Sequence, residues 1–123
     1  MLKVQSQEGR SFTRTMTLDG RLDAETVADF DVELDKALES PMKVLVFDLA
    51  KLEYISSAGL RSIFRAQKAM KARAGKVLLV NVKPQIQKVL DIVKAVDVGS
   101  VFRSVEELDH YLDAMQKQVT EGQ

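Results

Sequence analysis

Cysteine is absent from this chain of 123 residues, which excludes disulfide bonds, thiol catalysis and cysteine-based zinc sites. A chain without disulfides suits a reducing compartment. The first ten residues lack the apolar core that a secretory signal requires. The longest aliphatic runs, such as Val77 to Val80, are far too short to cross a bilayer. We therefore expect a soluble cytoplasmic protein without membrane insertion.

An excess of charge of either sign is also absent, because 18 Lys and Arg residues balance 18 Asp and Glu residues. Nonspecific nucleic-acid binding needs a basic excess to displace counterions, so no direct nucleic-acid partner is predicted. The composition, with 46% hydrophobic and 29% charged residues, is ordinary for a folded domain. The length suits a single domain with one hydrophobic core.

Recognisable catalytic and cofactor-binding motifs are missing as well. The single histidine, His110, falls on the last predicted helix without cysteine neighbours, which favours a surface residue over a ligand or a catalyst. Neither a phosphate-cradling GxxxxGKS/T sequence nor a dinucleotide-binding GxGxxG sequence occurs. The acidic residues are dispersed over predicted helix surfaces. We expect a protein that is not an enzyme and that holds no cofactor and no metal.

The chain does contain alternating strand and helix patterns. Residues 2–7 and 12–18 alternate apolar and polar side chains around a Glu8-Gly9-Arg10 turn, which predicts an opening β-hairpin. Hydrophobic patterns predict further strands at 43–49, 76–82 and 98–102, and helices at 24–39, at 58–73, from Pro84 and after Ser104.

Strands that alternate with helices imply a mostly parallel sheet with right-handed crossovers. The predicted fold is a single α/β domain with a mixed, mostly parallel sheet of about five strands, about four helices and an opening hairpin. The domain is expected to span residues 1–119, followed by a disordered tail at 120–123. Asp23 is the expected N-cap of the first helix. The stripe that the second helix should bury is Leu60, Ile63, Phe64, Gln67 and Met70.

The most distinctive segment is the turn Ser56-Ser57-Ala58-Gly59, which follows a buried strand and begins a helix. Open α/β sheets place ligand sites beyond the carboxyl ends of their strands. The two hydroxyls can simply cap unpaired backbone N–H groups, and the glycine can let the helix approach the sheet. The alternative is a phosphoacceptor, because a helix N-terminus tolerates a phosphate. Spacing alone leaves both interpretations open.

Two motifs of this chain resemble those of the STAS domain family, in particular the bacterial anti-sigma factor antagonists. In that family a buried strand ends in Asp-Leu, and a short loop leads to an aromatic-aliphatic pair and then Asp-Ser-Ser/Ala-Gly-Leu. The corresponding residues here are Asp48-Leu49, Tyr54-Ile55 and Ser56-Ser57-Ala58-Gly59-Leu60. The family's Gly-x-Leu-Asp-Ala pattern appears as Gly20-Arg21-Leu22-Asp23-Ala24. The order of strands and helices also agrees over residues 2–117.

The resemblance implies an anti-sigma factor antagonist whose phosphorylated serine is Ser57. A partner kinase, often the anti-sigma factor itself, would modify this residue, and a serine phosphatase would reverse the modification. The unmodified form would bind the anti-sigma factor and free a sigma factor. For Arg21, a contact with the phosphate and a solvated surface cation are both open interpretations. The implied partner-binding residues are Arg21, Asp23, Tyr54, Ser56, Ser57, Ala58, Gly59 and Leu60.

Two positions depart from the family pattern. Ser56 replaces the acidic residue that commonly precedes the phosphoacceptor, and Ala58 stands where some members have a second serine. The resemblance also allows a second function, because single STAS domains serve as non-phosphorylated subunits of lipid-transport ATPase complexes and stress-signalling scaffolds. Small-molecule or nucleotide sensing is a third hypothesis, although the sequence shows no phosphate loop. The oligomeric state is left open.

Overall fold

The computed structural model describes residues 1–95 and 104–121 of the chain. Its elements are β1 (Leu2–Glu8), β2 (Thr13–Leu22), α1 (Val27–Leu38), β3 (Val44–Ile55), α2 (Ser57–Ala72), β4 (Lys76–Val80), α3 (Pro84–Ala95) and α4 (Val105–Glu121). Helix α4 therefore takes in residues 120 and 121, which the sequence assigns to a disordered tail. Within the described ranges, no helix is both long and apolar enough to span a membrane.

The four described strands form one mixed sheet in the order β1-β2-β3-β4. Strands β1 and β2 are antiparallel and make the opening hairpin. Strand β2 pairs with β3 and β3 with β4 in parallel, and a helix provides the crossover in each case. The predicted α/β fold, with a mixed, mostly parallel sheet and an opening hairpin, is confirmed. The fifth strand predicted at 98–102 lies outside the described residues.

One hydrophobic core lies between the sheet and the helices. Alternate residues of β3, Leu45, Phe47 and Leu49, are almost fully buried, since successive side chains of a strand point to opposite faces. On α1, Phe30 and Leu34 lie four residues apart on one helix face, and both are fully buried. The rings of Phe30 and Phe47 meet in a tilted arrangement, with centroids 5.8 Å apart. These contacts join α1 to the middle of β3.

Strand β3 is longer than the sequence pattern predicts. The apolar run predicts a strand at 43–49 followed by a loop, yet β3 continues to Ile55. Its second half pairs with β2 from Asp19 opposite Lys51 to Leu22 opposite Ile55, with two register shifts along the pairing. Such irregularities interrupt the period-two alternation by which a strand is recognised. The continuation brings the ends of β2 and β3 side by side.

The buried face of α2 also differs in part from the predicted stripe. Leu60, Ile63 and Met70 are buried as predicted, but Phe64 is 41% exposed and Gln67 is exposed. A smaller residue, Ala66, is fully buried in their place. Ala66 lies three residues after Ile63 and four before Met70, on the same face of the helix, so the largest apolar side chain of α2 is not the innermost one.

The amino terminus runs alongside the carboxyl end of β2. The backbone N–H of Arg21 donates to the carbonyl of Met1 at 3.1 Å. Gly20 has a φ of +120°, and a Cβ at this position would lie 2.1 Å from the same carbonyl oxygen. Only glycine therefore lets the chain pass this close to β2.

Candidate functional site

The residues that the sequence singles out converge where β2 and β3 end and α2 begins. Arg21 lies opposite Tyr54, and Leu22 opposite Ile55, across these two parallel strands. The chain then enters Ser56, whose N–H donates to the carbonyl of Leu22 at 3.0 Å. The carboxyl ends of neighbouring parallel strands are the usual place for sites in α/β folds.

Ser56 is the N-cap of α2. Its backbone is extended, with φ −98° and ψ 177°, and its Oγ accepts the N–H of Gly59 at 3.4 Å. Its carbonyl accepts the N–H of Leu60 at 2.9 Å, the first hydrogen bond of the helix. Ser56 therefore does what the capping interpretation of the turn requires.

Ser57, the first residue of α2, is placed differently. It is 7% exposed, and its N–H donates to Oδ1 of Asp109 on α4 at 2.9 Å. Its hydroxyl oxygen is buried and has no hydrogen-bond partner in the part of the chain that the structure describes. The capping interpretation thus holds for Ser56 but leaves the hydroxyl of Ser57 without a structural role.

Gly59 lies where α2 touches the ends of β2 and β3. A Cβ here would lie 2.8 Å from Cγ of Leu22, 2.9 Å from the carbonyl oxygen of Leu22 and 2.9 Å from Cγ1 of Ile55. The next residue, Leu60, is 3% exposed and belongs to the hydrophobic core. Gly59 and Leu60 therefore pack against the protein interior, while the half-buried Ala58 lies closer to solvent.

We expect Gly59→Ala to lower the free energy of unfolding by about 1–3 kcal/mol, although alanine is the better helix former, because the methyl group meets a backbone carbonyl. Chemical denaturation measures this difference. Gly9→Ala is the matched control, since the nearest atom to its Cβ would be 3.4 Å away. Equal losses in the two variants would contradict this account of the packing.

Asp23 and Thr26 shape the turn between β2 and α1. Oδ1 of Asp23 accepts the N–H groups of Glu25 at 3.0 Å and of Thr26 at 3.2 Å. In return, Oγ1 of Thr26 accepts the N–H of Asp23 at 3.0 Å and donates to the carbonyl of Arg21 at 2.8 Å. Helix α1 begins only at Val27, with Thr26 as its N-cap. The prediction that Asp23 is the N-cap is therefore wrong, because the reciprocal pair makes a separate turn before the helix.

Arg21 stacks on the ring of Tyr54. Its Cζ lies 4.1 Å from the ring centroid, and its Nε lies 3.6 Å from Oδ2 of Asp23. Arg21 is half exposed, yet it is held by a cation–π contact and an ion pair. Burial raises the pKa of Tyr54, the carboxylates of Asp113 and Asp109 raise it further, and Arg21 opposes the shift. Two carboxylates of α4 therefore lie close to this end of the sheet.

Two residues of α4 complete the site and were not predicted from the sequence. Asp109 binds the N–H of Ser57, as described above. Gln116, 3% exposed, accepts the N–H of Ile55 through Oε1 at 3.0 Å and donates through Nε2 to the Ile55 carbonyl at 2.8 Å. Its side chain thus satisfies backbone groups at the end of β3 as a neighbouring strand would. The sequence does offer one signal for Gln116, because it lies four residues after Leu112 and therefore on the apolar face of the helix.

A metal ion or a catalytic base at this site would need suitable groups among the described residues. His110 is exposed on α4. Over residues 1–95 and 104–121, no group of histidine, aspartate and glutamate side chains is placed to hold a metal ion. The hydroxyl of Ser57 makes no hydrogen bond to any described residue, although the Asp109 carboxylate lies 2.9 Å from the Ser57 nitrogen.

Several known proteins are similar to this chain. The model of the STAS domain family matches residues 3–108. A Bordetella bronchiseptica protein named "Putative anti-sigma factor antagonist BtrV" is 29% identical over 89 residues, which are 72% of this chain and 77% of that protein.

Solved structures are similar as well. The anti-sigma factor antagonist SpoIIAA in its unphosphorylated form matches with a TM-score of 0.63 and 21% identity, over 73% of this chain and 83% of its own. The phosphorylated form of Bacillus SpoIIAA gives the same TM-score and identity, over 74% of this chain and 83% of its own. An anti-sigma factor antagonist of Mycobacterium paratuberculosis matches with a TM-score of 0.69 and 15% identity, over 77% of this chain and 80% of its own. At these identities the structural matches establish a shared fold.

Proposed function

This chain belongs to the STAS domain family, and from that premise we propose that it is an anti-sigma factor antagonist switched by reversible phosphorylation of Ser57. The unmodified form sequesters an anti-sigma factor kinase and so releases a sigma factor. Phosphorylation of Ser57 ends that binding, and a serine phosphatase restores it. The protein acts as a binding module, and its partners supply the catalysis.

The observation that carries the proposal is the unpaired hydroxyl of Ser57. Buried polar groups almost always have partners, and leaving one unpaired costs about 1–3 kcal/mol. Ser56 already caps α2, so the Ser57 hydroxyl stabilises nothing among the described contacts. A modification site accounts for a serine at this position. The existence of a phosphorylated SpoIIAA with the same fold supports this account.

Phosphorylation of Ser57 requires ATP and the catalytic groups of the kinase. Oγ of Ser57 bonds to the γ-phosphorus while the bond from that phosphorus to the βγ-bridging oxygen breaks. ADP leaves, and the hydroxyl proton passes to a base on the kinase. The phosphoserine carries about −1.5 to −2 charges at neutral pH. The N-terminus of α2 favours a negative charge, so the domain is expected to remain folded.

The added charge acts on the partner interface. The surface around the turn includes the exposed Arg21 and the half-buried Asp23 and Ala58. A partner packed against this surface would have to bury an uncompensated phosphate, which costs several kcal/mol. A loss of about 3 kcal/mol weakens binding roughly a hundredfold, which is enough for a switch.

We expect incubation with the cognate kinase and ATP to add one phosphate, and Ser57→Ala to abolish its incorporation, because Ser57 is the proposed acceptor. Intact-mass and peptide mass spectrometry locate the phosphate. Ser56→Ala is the matched control, since it removes the neighbouring hydroxyl but keeps the acceptor. Phosphate found on Ser56 alone would contradict the assignment.

The variant Ser57→Asp tests whether a negative charge at position 57 weakens partner binding. This variant is expected to bind the partner roughly a hundredfold more weakly than the unmodified protein, and Ser57→Ala should bind normally. Isothermal titration calorimetry with the purified anti-sigma factor measures both affinities. If Ser57→Asp binds as tightly as the unmodified protein, the charge mechanism is wrong.

A structural subunit of a larger assembly is the second candidate, and the burial of Ser57 favours it. At 7% exposure, the hydroxyl cannot enter a kinase active site unless neighbouring structure moves. In a lipid-transport ATPase complex or a stress-signalling scaffold, Ser57 would be an interface residue without a phosphate cycle. Stable co-purification with an ATPase, together with an unmodified Ser57 in cells, would decide in favour of this function.

A further inference from the structure

Helix α4 reaches the proposed phosphoacceptor through Asp109. Oδ1 of Asp109 accepts the N–H of Ser57 at 2.9 Å, although 52 positions separate the two residues in the chain. The same Ser57 carries the buried hydroxyl that has no partner among the described residues. A carboxylate therefore already occupies an N–H group at the positive end of the α2 dipole.

A phosphate on Ser57 would lie close to the Asp109 carboxylate. Phosphate oxygens at a helix N-terminus bind the free N–H groups of the first turn. The N–H of Gly59 is already bound by Oγ of Ser56, whereas the N–H of Ser57 lies only the Cα–Cβ link away from its own Oγ. The phosphate and the Asp109 carboxylate would thus lie close together, and both are negative, so they would repel each other.

The surroundings add to the repulsion that Asp109 would meet. Asp113 lies one turn further along α4, and both carboxylates, after burial, raise the pKa of Tyr54. Arg21, which stacks on Tyr54, is paired with Asp23. A phosphoserine with about −1.5 to −2 charges would add to a region that is already negative, and like charges at short range repel.

We infer that phosphorylation of Ser57 expels Asp109 and undocks the amino-terminal part of α4, from Val105 to Tyr111; this rests on the proposed function of Ser57. The rest of α4 stays in place, because Gln116 binds both backbone groups of Ile55 inside the protein. Phosphorylation then changes the shape of the partner surface as well as its charge. Asp109 couples the change in charge at Ser57 to the change in shape of the partner surface.

Hydrogen exchange of the full chain tests this inference, with phosphoserine installed at position 57 during translation so that no kinase is needed. Mass spectrometry compares peptides that cover 106–112 and 114–121. We expect exchange in 106–112 to be about 10- to 100-fold faster in the phosphorylated protein, the scale of one lost charge-assisted hydrogen bond. Exchange in 114–121 should stay unchanged.

Two variants separate the effect of the Asp109 charge from the effect of its hydrogen bond with the Ser57 N–H. Asp109→Asn removes the charge but keeps an oxygen that can accept the Ser57 N–H, so phosphorylation should no longer accelerate exchange in 106–112. Asp113→Asn is the matched control, because it removes one charge from the same helix at a position paired with Lys117 rather than with Ser57. In Asp113→Asn the phosphorylation-dependent increase should persist.

Unchanged exchange in 106–112 after phosphoserine is installed would overturn the inference, and so would an equal increase in Asp109→Asn. If Asp109→Asn loosens α4 before modification, Asp109→Glu keeps the charge, and phosphorylation must still accelerate its exchange. Failure of the proposed function has a different signature. In that case the kinase leaves Ser57 unmodified, whatever the installed phosphoserine does to α4.

Discussion

Gln116→Ala is expected to lower the free energy of unfolding by about 2–5 kcal/mol, because the buried N–H and carbonyl of Ile55 lose their partners. Ile55 is 1% exposed and Gln116 is 3% exposed, so water does not readily replace the lost amide. Truncation also leaves a cavity between α4 and the end of β3. Urea denaturation followed by circular dichroism measures the loss.

Gln118→Ala is the matched control for this prediction. It is the same substitution two residues further along α4, at an exposed position. This substitution should change the free energy of unfolding by no more than about 0.5 kcal/mol, as is usual for surface substitutions. Equal losses in the two variants would mean that helix propensity, and not the bonds to Ile55, determines the contribution of Gln116.

Phe47→Ala is expected to lower the free energy of unfolding by about 3–5 kcal/mol. Phe47 is fully buried in the middle of β3, and its ring meets that of Phe30. Its neighbours across the sheet are Met16 on β2 and Leu79 on β4, so the truncation opens a cavity where three strands and a helix meet. Chemical denaturation gives the change.

Phe64→Ala provides the comparison for the aromatic core. Phe64 carries the same side chain on α2 but is 41% exposed, so it loses less buried area on truncation. We expect its loss to be smaller than that of Phe47→Ala by about 2 kcal/mol or more. A similar loss at the two positions would show that the core is not centred on β3.

The sheet and the position of the site could be predicted because they depend on patterns that are local in the chain. Strands that alternate with helices pair in parallel, which brings the carboxyl ends of neighbouring strands to one edge. The segments 20–24 and 56–60 each follow a strand, so this rule alone places them together. Arg21 opposite Tyr54 is the result.

The contacts made by α4 could not be predicted in the same way. Asp109 lies 52 residues from Ser57, and Gln116 lies 61 residues from Ile55. Nothing in the helical pattern distinguishes Asp109, which binds the turn, from Asp113, which pairs with Lys117. That difference depends on how the helix is rotated against the sheet, which tertiary packing determines.

The hydroxyls of Ser56 and Ser57 also differ in a way that tertiary structure, and not sequence pattern, determines. By their chemistry alone Ser56 and Ser57 are equivalent candidates for capping and for modification, and only the resemblance to the family assigns the phosphoacceptor to Ser57. The backbone separates them, because the extended conformation at Ser56 turns its Oγ toward the N–H of Gly59. Ser57 is already helical, and its Oγ is left unpaired among the described residues. The change of backbone conformation between these two neighbouring residues therefore gives their hydroxyls different surroundings.

The hydrogen bond between the Met1 carbonyl and the Arg21 N–H has a practical consequence for measuring partner binding. A fluorophore coupled to the terminal amine would lie beside Arg21 and would report the arrival of a partner through its anisotropy. A bulky amino-terminal affinity tag would cover part of the surface that we propose for the partner. A tag after Glu121 is preferable, since the 12 residues of α4 that follow Asp109 carry the chain about 18 Å further along the helix.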